Sequence, residues 1–235
     1  KTRIDLEDVG YSNKITNKAI LKILENAGAR QSETIHFGLN DMENVGFSWI
    51  LLGWKVKILK RPIYNEELTI NTWGRDSNRI FTYRDYEIYD ESGELCAIAT
   101  SKWAIVDINT GKLRELTPEI IEKYQCETKK VFEEDYTLKL KEPVTIIRKQ
   151  EYKAQRRDID INKHIHNLYY LDYAYEVLPE EVYEAPECNN IEIMYKKQIR
   201  LNDEFKCLYT KEENQNIVTM KSEDENTLHA IIKLY

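Results

Sequence analysis

The strongest constraint on this chain is that it reads twice as the same order of elements: a short strand, a helix, then a meander of longer strands. In the first half "TRIDLE" leads into "TNKAILKILENAGARQ". There Ile20, Leu21, Leu24 and Ala27 recur at helical spacing behind a Thr/Asn cap candidate. In the second half "TIIRKQEYKAQ" leads into "NLYYLDYAYEVLPEE". Leu168, Leu171, Ala174, Tyr175 and Leu178 repeat the spacing, with Asn167 as the candidate N-cap and Pro179 at the end.

The strands that follow are two-faced. "ELTINTW" (67–73) alternates, and "ELCAIATSKWAIVDI" (94–108) sets Leu95, Ala97, Ala99 and Trp103 against Cys96, Ile98, Ala104 and Val106. Such strands lie between a core and a second covering layer. "DESGE" and "NTGK" read as hairpin turns. "NIEIMYKKQIRL", "EFKCLYT", "NIVTMKS" and "LHAIIKLY" continue the pattern to the C-terminus, so the sheet is mostly antiparallel and the class is α+β. The expected division is residues 1–120, a connection at 121–142 around Pro118, Pro143 and the charged run "ETKKVFEED", and residues 143–235. The 235 residues suffice for either one large core or two small ones.

Charge narrows the function. A net charge of -7 argues against nucleic acid as the main partner, and no helix-turn-helix segment is apparent, although a local basic patch remains compatible. No apolar run approaches the roughly 20 residues that span a bilayer. "KTRIDLEDVGYSNK" has no signal-peptide core, so no membrane association is expected. Cys96, Cys126, Cys188 and Cys207 form no CxxC pair and read as reduced thiols of a cytoplasmic protein. Trp49, Trp54, Trp73 and Trp103 read mainly as core.

One stretch stands apart: "RDIDINKHIHN", residues 157–167. Read as extended chain, it puts Asp158, Asp160, Asn162, His164 and His166 in one row. Three readings compete: a metal site, a hydrolytic site, and a polar loop with capping residues. A metal needs three or four ligands, and His36 and His229 lie far away in sequence, so no metal is assigned. Asp158 and His166 read as local structure. The matching place before the first helix, "DVGYSNKIT", has no Asp-x-Asn-x-His, which favours one chemical site, in the second half.

Further stretches bear on the choice. These are "ITNKAILKILENAGARQSE", "LTINTW" ending at Trp73, "YRDYEIYDESGE", "ATSKWAIVDINTGKL", "RDIDINKHIHNLYYLDYAYEVLP" and "EIMYKKQI". In this order and spacing, from about residue 4 to the C-terminus, the sequence resembles the acyl-acyl carrier protein thioesterases of plants and bacteria. The resemblance implies two tandem hotdog repeats, each one long helix wrapped by a curved antiparallel sheet, with the acyl chain held by the first repeat. It implies hydrolysis of the thioester that joins a fatty acyl chain to the phosphopantetheine arm of acyl carrier protein, with no cofactor.

Carried over, the family's catalytic Asp, Asn and His fall on Asp160, Asn162 and His164. Its Glu falls on Gln198 and its neighbouring Cys on Ile199, and both are departures. His164, with an ordinary pKa of about 6.5, is the natural base, and the start of the following helix would disfavour a second positive charge and offer N–H groups to a carbonyl. Docking of the acidic carrier is expected at Arg156, Arg157, Lys163, Lys196 and Lys197, with Arg148, Lys149 and Arg200 nearby. Two halves that pair need no second copy to complete a site, and homodimer formation stays open. An acyl-CoA thioesterase and a non-catalytic acyl-binding protein are the alternatives.

Overall fold

The computed structural model describes residues 1–75, 78–134, 139–183 and 188–235. The chain divides into two compact units, Lys1–Thr137 and Leu138–Tyr235. Of the 121–142 stretch, residues 135–138 lie outside the described residues.

The first unit contains β1 (Thr2–Arg3), α1 (Asn17–Thr34), α2 (Met42–Val45), β2 (Phe47–Ile58), β3 (Glu67–Gly74), β4 (Thr82–Tyr89), β5 (Leu95–Asp107), β6 (Leu113–Arg114) and α3 (Pro118–Tyr124). Its sheet is antiparallel in the order β1-β3-β4-β5-β2, with β6 added to β5. Gly93 and Gly111 supply the positive φ of the two turns that flank β5, where a side chain would strain the backbone.

Helix α1 starts where Thr16 Oγ1 accepts the N–H of Ala19 at 3.1 Å, as the cap pattern predicts. Ile20, Leu21 and Leu24 are buried on its inner face. Gly28 continues that face because α1 rests directly on β4. A Cβ there would lie 2.9 Å from Tyr86 Oη and 3.2 Å from Arg84 Cδ.

The connecting stretch is more ordered than its Pro and charge content suggest. Thr117 Oγ1 caps α3, and Ile120 is buried with Phe37, Phe47, Ile105 and Leu116. Beyond α3 the chain returns along the sheet: Val131 N–H donates to Asp85 at 3.0 Å and Lys129 pairs with Glu87 at 2.7 Å. Trp73 donates to the Lys129 carbonyl, and Trp54 is fully buried.

The second unit contains β7 (Arg148–Lys153), α4 (Tyr169–Val177), α5 (Glu180–Tyr183), β8 (Asn190–Tyr195), β9 (Glu204–Glu212), β10 (Gln215–Ser222) and β11 (Leu228–Leu234). Its antiparallel sheet runs β8-β11-β10-β9-β7. Helix α4 buries Leu171, Ala174 and Val177 and packs on β7, β9 and β11.

Two expectations about α4 need correction. It has 9 residues against 18 in α1, so only the first unit holds a long helix. Asn167 is not its N-cap either: that position is Leu168, and the ring Nδ1 of His166 accepts the Leu168 N–H at 3.3 Å. Asn167 is turned to other use, its carbonyl accepting Tyr195 Oη–H at 3.1 Å.

Among the described residues no helix is long and apolar enough to cross a membrane. All four cysteines are free.

Candidate active site

The 157–167 stretch is not an extended row. Arg156–Asp158 is a single turn of 3-10 helix, and the chain then doubles back so that Ile159 pairs with Ile165. Asp158 causes the first bend. It is buried, accepts the Gln155 N–H at 2.8 Å, and takes the hydroxyl of Tyr173 at 2.6 Å. Asp158 therefore points inward, away from Asp160, and the five side chains do not share a face.

Asp160 braces the second bend. Its Oδ1 accepts the N–H groups of Asn162 at 2.8 Å and His164 at 3.2 Å, while its backbone N–H donates to the His164 carbonyl at 2.8 Å. Lys163, at the tip, takes φ 63°, a left-handed value that a Lys rarely adopts. The result is a tight polar loop with Asn162 exposed and His164 half-buried.

Gln198 reaches this loop from the other side. Strand β8 ends at Tyr195, so Gln198 lies beyond the strand, and it is exposed. The chain bulges because Lys196 and Lys197 both donate their N–H groups to the His229 carbonyl, at 2.8 and 3.4 Å. It then runs beside the loop: Ile165 N–H donates to the Ile199 carbonyl at 2.8 Å, and His164 bridges Arg200. Ile165 and Ile199 are buried, so backbone alternation puts His164, Gln198 and Arg200 on the opposite, outer side. Asn162, His164 and Gln198 make no side-chain hydrogen bonds among the described residues.

The electrostatics suit a base. Burial lowers the His164 pKa from its ordinary value, Asp160 opposes that, and Arg200 adds to it. The ring is therefore neutral at neutral pH. Burial, not a helix terminus, is the first cause. The N–H groups of Leu168, Tyr169 and Leu171 at the start of α4 are bonded to His166 and Leu168, so they are not available to a carbonyl.

The first unit holds the same loop without the chemistry. Gly10 N–H donates to the Lys14 carbonyl, Val9 pairs with Ile15, Asn13 takes φ 60°, and the buried Asp8 accepts the Asp5 N–H at 3.1 Å. Gly10, Ser12 and Lys14 stand where Asp160, Asn162 and His164 stand, and Arg61 stands where Gln198 does.

The basic residues separate into two groups. Arg156, Lys163, Lys196, Lys197 and Arg200 are exposed, and Arg157 lies 3.7 Å from Asp158. Arg148 instead donates to the Leu178 carbonyl, and Lys149 pairs with Glu225 at 2.7 Å, so both are committed elsewhere.

A cleft of about 500 Å³ opens in the first unit beside Phe37, Phe47 and Ile120. Asp41, Arg114, Glu119 and Lys123 also line it, which does not suit an acyl chain. Among the described residues no group of three or more His, Cys, Asp or Glu is placed to hold a metal. Sequence reasoning passed over His229, whose place beside Gln198 depends on the register of β8 against β11.

Comparison with known proteins bears on the fold and the family. Residues 1–124 match the acyl-ACP thioesterase N-terminal domain, and residues 141–233 match the acyl-ACP thioesterase C-terminal domain. The chain is 25% identical over 228 residues to oleoyl-acyl carrier protein thioesterase 2, chloroplastic, of Arabidopsis thaliana, covering 90% of this chain and 62% of that protein. It is 25% identical over 234 residues to the Coriandrum sativum oleoyl-acyl carrier protein thioesterase, covering 91% and 62%. The chain thus spans less than two thirds of the length of these relatives.

Two solved structures share the fold. An acyl-ACP thioesterase from Bacteroides thetaiotaomicron superposes with a TM-score of 0.86 at 22% identity, covering 99% of this chain and 94% of that one. The 12:0-ACP thioesterase from Umbellularia californica gives 0.84 at 17% identity, covering 99% and 94%. With both domain matches in order along nearly the whole sequence, the chain belongs to the acyl-ACP thioesterase family.

Proposed function

We propose that this chain hydrolyses the thioester of fatty acyl-acyl carrier protein, releasing the free fatty acid and the carrier protein. The observation that carries the reading is the pair of matched loops: one backbone occurs twice, and only the second copy bears Asp160, Asn162 and His164.

Neutral His164 takes a proton from water as the water oxygen attacks the thioester carbonyl carbon. The Asn162 amide donates to the carbonyl oxygen as negative charge develops there. Collapse of the tetrahedral intermediate breaks the C–S bond, and the imidazolium returns the proton to the thiolate of the phosphopantetheine arm. Asp160 holds the loop through two backbone N–H groups and favours the imidazolium that forms. Gln198 can orient the water by donating or accepting, but it cannot take its proton.

The first unit, with its inert loop, is assigned the acyl chain. The carrier's acidic surface is assigned to Arg156, Arg157, Lys163, Lys196 and Lys197, with Arg200 beside His164.

The test follows thiol release with acyl-carrier protein, with acyl-CoA and without substrate. Turnover of the carrier substrate that weakens with ionic strength is expected. Faster turnover of acyl-CoA would move the reading to a CoA thioesterase. Binding of both without thiol release would favour a non-catalytic acyl-binding protein, a reading to which the amide at Gln198 lends weight.

A further inference from the structure

We propose that His229 is a positioning residue that sets the direction of Gln198 toward the His164 loop. This rests on the hydrolytic reading above for its consequence, though not for its geometry.

The geometry is a clamp. His229, on β11, is buried, with 6% of its surface exposed. Its carbonyl accepts the N–H groups of Lys196 and Lys197 and makes the bulge. Its ring adds a third bond, Nδ1–H donating to the Lys197 carbonyl at 2.9 Å. A carbonyl can only accept, so Nδ1 carries the proton. Burial lowers the ring's pKa, consistent with a neutral imidazole in that tautomer.

The Lys197 carbonyl belongs to the peptide plane that leads into Gln198. Two residues on, past the carbonyl of Gln198 itself, the Ile199 carbonyl is held by the N–H of Ile165, the residue after His164. Gln198 therefore sits between two pinned carbonyls, one held by His229 and the other by the loop that bears His164. Its own side chain makes no hydrogen bond among the described residues, so its aim depends on the backbone.

The first unit shows what the ring adds. There Cys96 occupies the place of His229, and its carbonyl accepts the N–H groups of Leu59 and Lys60 at 2.8 and 3.1 Å. The same bulge forms without an imidazole, since Cys96 Sγ turns to the Glu94 carbonyl. Arg61, in the place of Gln198, anchors itself through its guanidinium to the Ile15 carbonyl at 2.9 Å and Asn17 Oδ1 at 2.6 Å. A bulge thus needs only the carbonyl. The imidazole bond occurs where the following side chain is left unanchored.

The experiment compares His229→Cys, His229→Asn and His229→Gln, alone and with Gln198→Ala. Asn carries its N–H donor near the place of Nδ1, and Gln carries it near Nε2. His229→Cys and His229→Gln should lower kcat about 10-fold with KM nearly unchanged, a part of the ~100-fold that a misplacement of about 1 Å can cost. His229→Asn should restore most of it, and none of the three should lower kcat further in the Gln198→Ala background.

The side-chain and backbone amide resonances of Gln198, followed by NMR, should shift in the Cys variant and return in the Asn variant. A kcat loss of equal size without Gln198, or a lowered Tm with kcat intact, would overturn the proposal. If the wild-type protein turned over no thioester, the hydrolytic reading would fail, and the resonances alone would decide the positioning. If the Cys variant did not fold, the Gln and Asn pair would serve.

Discussion

The loop at 5–17 and the loop at 155–167 share three backbone bonds that close them: Gly10 to Lys14 as Asp160 to His164, Asn13 to Gly10 as Lys163 to Asp160, Thr16 to Asp8 as His166 to Asp158. Each is seated on its own sheet by an isoleucine N–H, Ile15 to the Pro62 carbonyl and Ile165 to the Ile199 carbonyl. Each also carries one buried aspartate at the same place. The chemical difference lies in side chains: Asn162 and His164 make no side-chain hydrogen bonds among the described residues, and Asp160 braces its loop where Gly10 closes the same turn without a carboxylate. Glycine serves at position 10, so the carboxylate of Asp160 is not required for the turn, and lysine serves at position 14, so neither is the imidazole of His164. Polar residues that a shared backbone can do without are the ones to which chemistry is best assigned.

The largest effect should come from His164. In folded protein His164→Ala should lower turnover of acyl-carrier protein by about 100-fold or more, as expected for loss of a general base. Lys14→Ala, its counterpart, should leave the rate unchanged. Equal effects from the two, or a lowered Tm for His164→Ala at full rate, would erase the distinction between the loops.

Next comes Asn162→Ala, at about 100- to 1,000-fold if the amide stabilises the oxyanion. Gln198→Ala should cost less than either, because an amide there positions water without accepting its proton. Gln198→Glu should leave activity equal or higher. A Gln198→Glu variant that lost activity would show that the amide donates to substrate, a role a carboxylate cannot take over.

These comparisons also show what a sequence discloses. The helices are legible at Ile20, Leu21 and Leu24 and at Leu171 and Ala174 because burial of one helix face leaves a local period. The hairpins around β5 are legible because Gly93 and Gly111 meet a local backbone demand. The site is legible only in part. Alternating polar residues at 158–166 look like an extended face, yet Asp158 bends the chain by bonding to Tyr173, fifteen residues on. The N-cap position of α4 falls on Leu168, one residue past Asn167, and His166 Nδ1 accepts its N–H, while Tyr195, on β8, donates to the Asn167 carbonyl. His229 is invisible in the sequence, since its role depends on strand register. What depends on local period or local backbone angle can be read, and what depends on distant pairing cannot.

A smaller effect concerns pH. His164 and His229 both titrate below the ordinary histidine value, for the first reason that burial disfavours the charged ring. The counterpart of His229 in the first unit, the buried Cys96 thiol, is pushed up to about 11 by burial. As pH falls below about 6.5, the unfolded chain takes up protons on these histidines before the folded one does, so stability declines as pH falls and is complete above that value. Activity should decline over the lower part of the same range, as His164 itself gains a proton. His164→Gln should flatten part of the stability profile, measured as urea unfolding from about pH 5 to about pH 7, a window of which about one and a half units lie on the acid side of the histidine value. An unchanged profile would mean that His164 is solvated like a free histidine.

The smallest effect tests the backbone equivalence itself. Asn13 and Lys163 occupy the same left-handed position, at φ 60° and 63°. Asn tolerates that conformation through its short polar side chain, whereas the Cβ of a long side chain costs about 1–2 kcal/mol there. If the two loops are one backbone, the residues should exchange with opposite signs. Lys163→Asn should stabilise the protein by up to about 1 kcal/mol, and Asn13→Lys should destabilise it by a similar amount. Both are read as shifts in urea midpoint at constant m-value. The exchange at 163 also removes a cation from the surface assigned to the carrier, so its effect on turnover should be confined to low salt. Lys163→Asn with no gain in stability would mean that Lys163 is held at φ 63° without strain, and that the match between the loops stops at their hydrogen bonds.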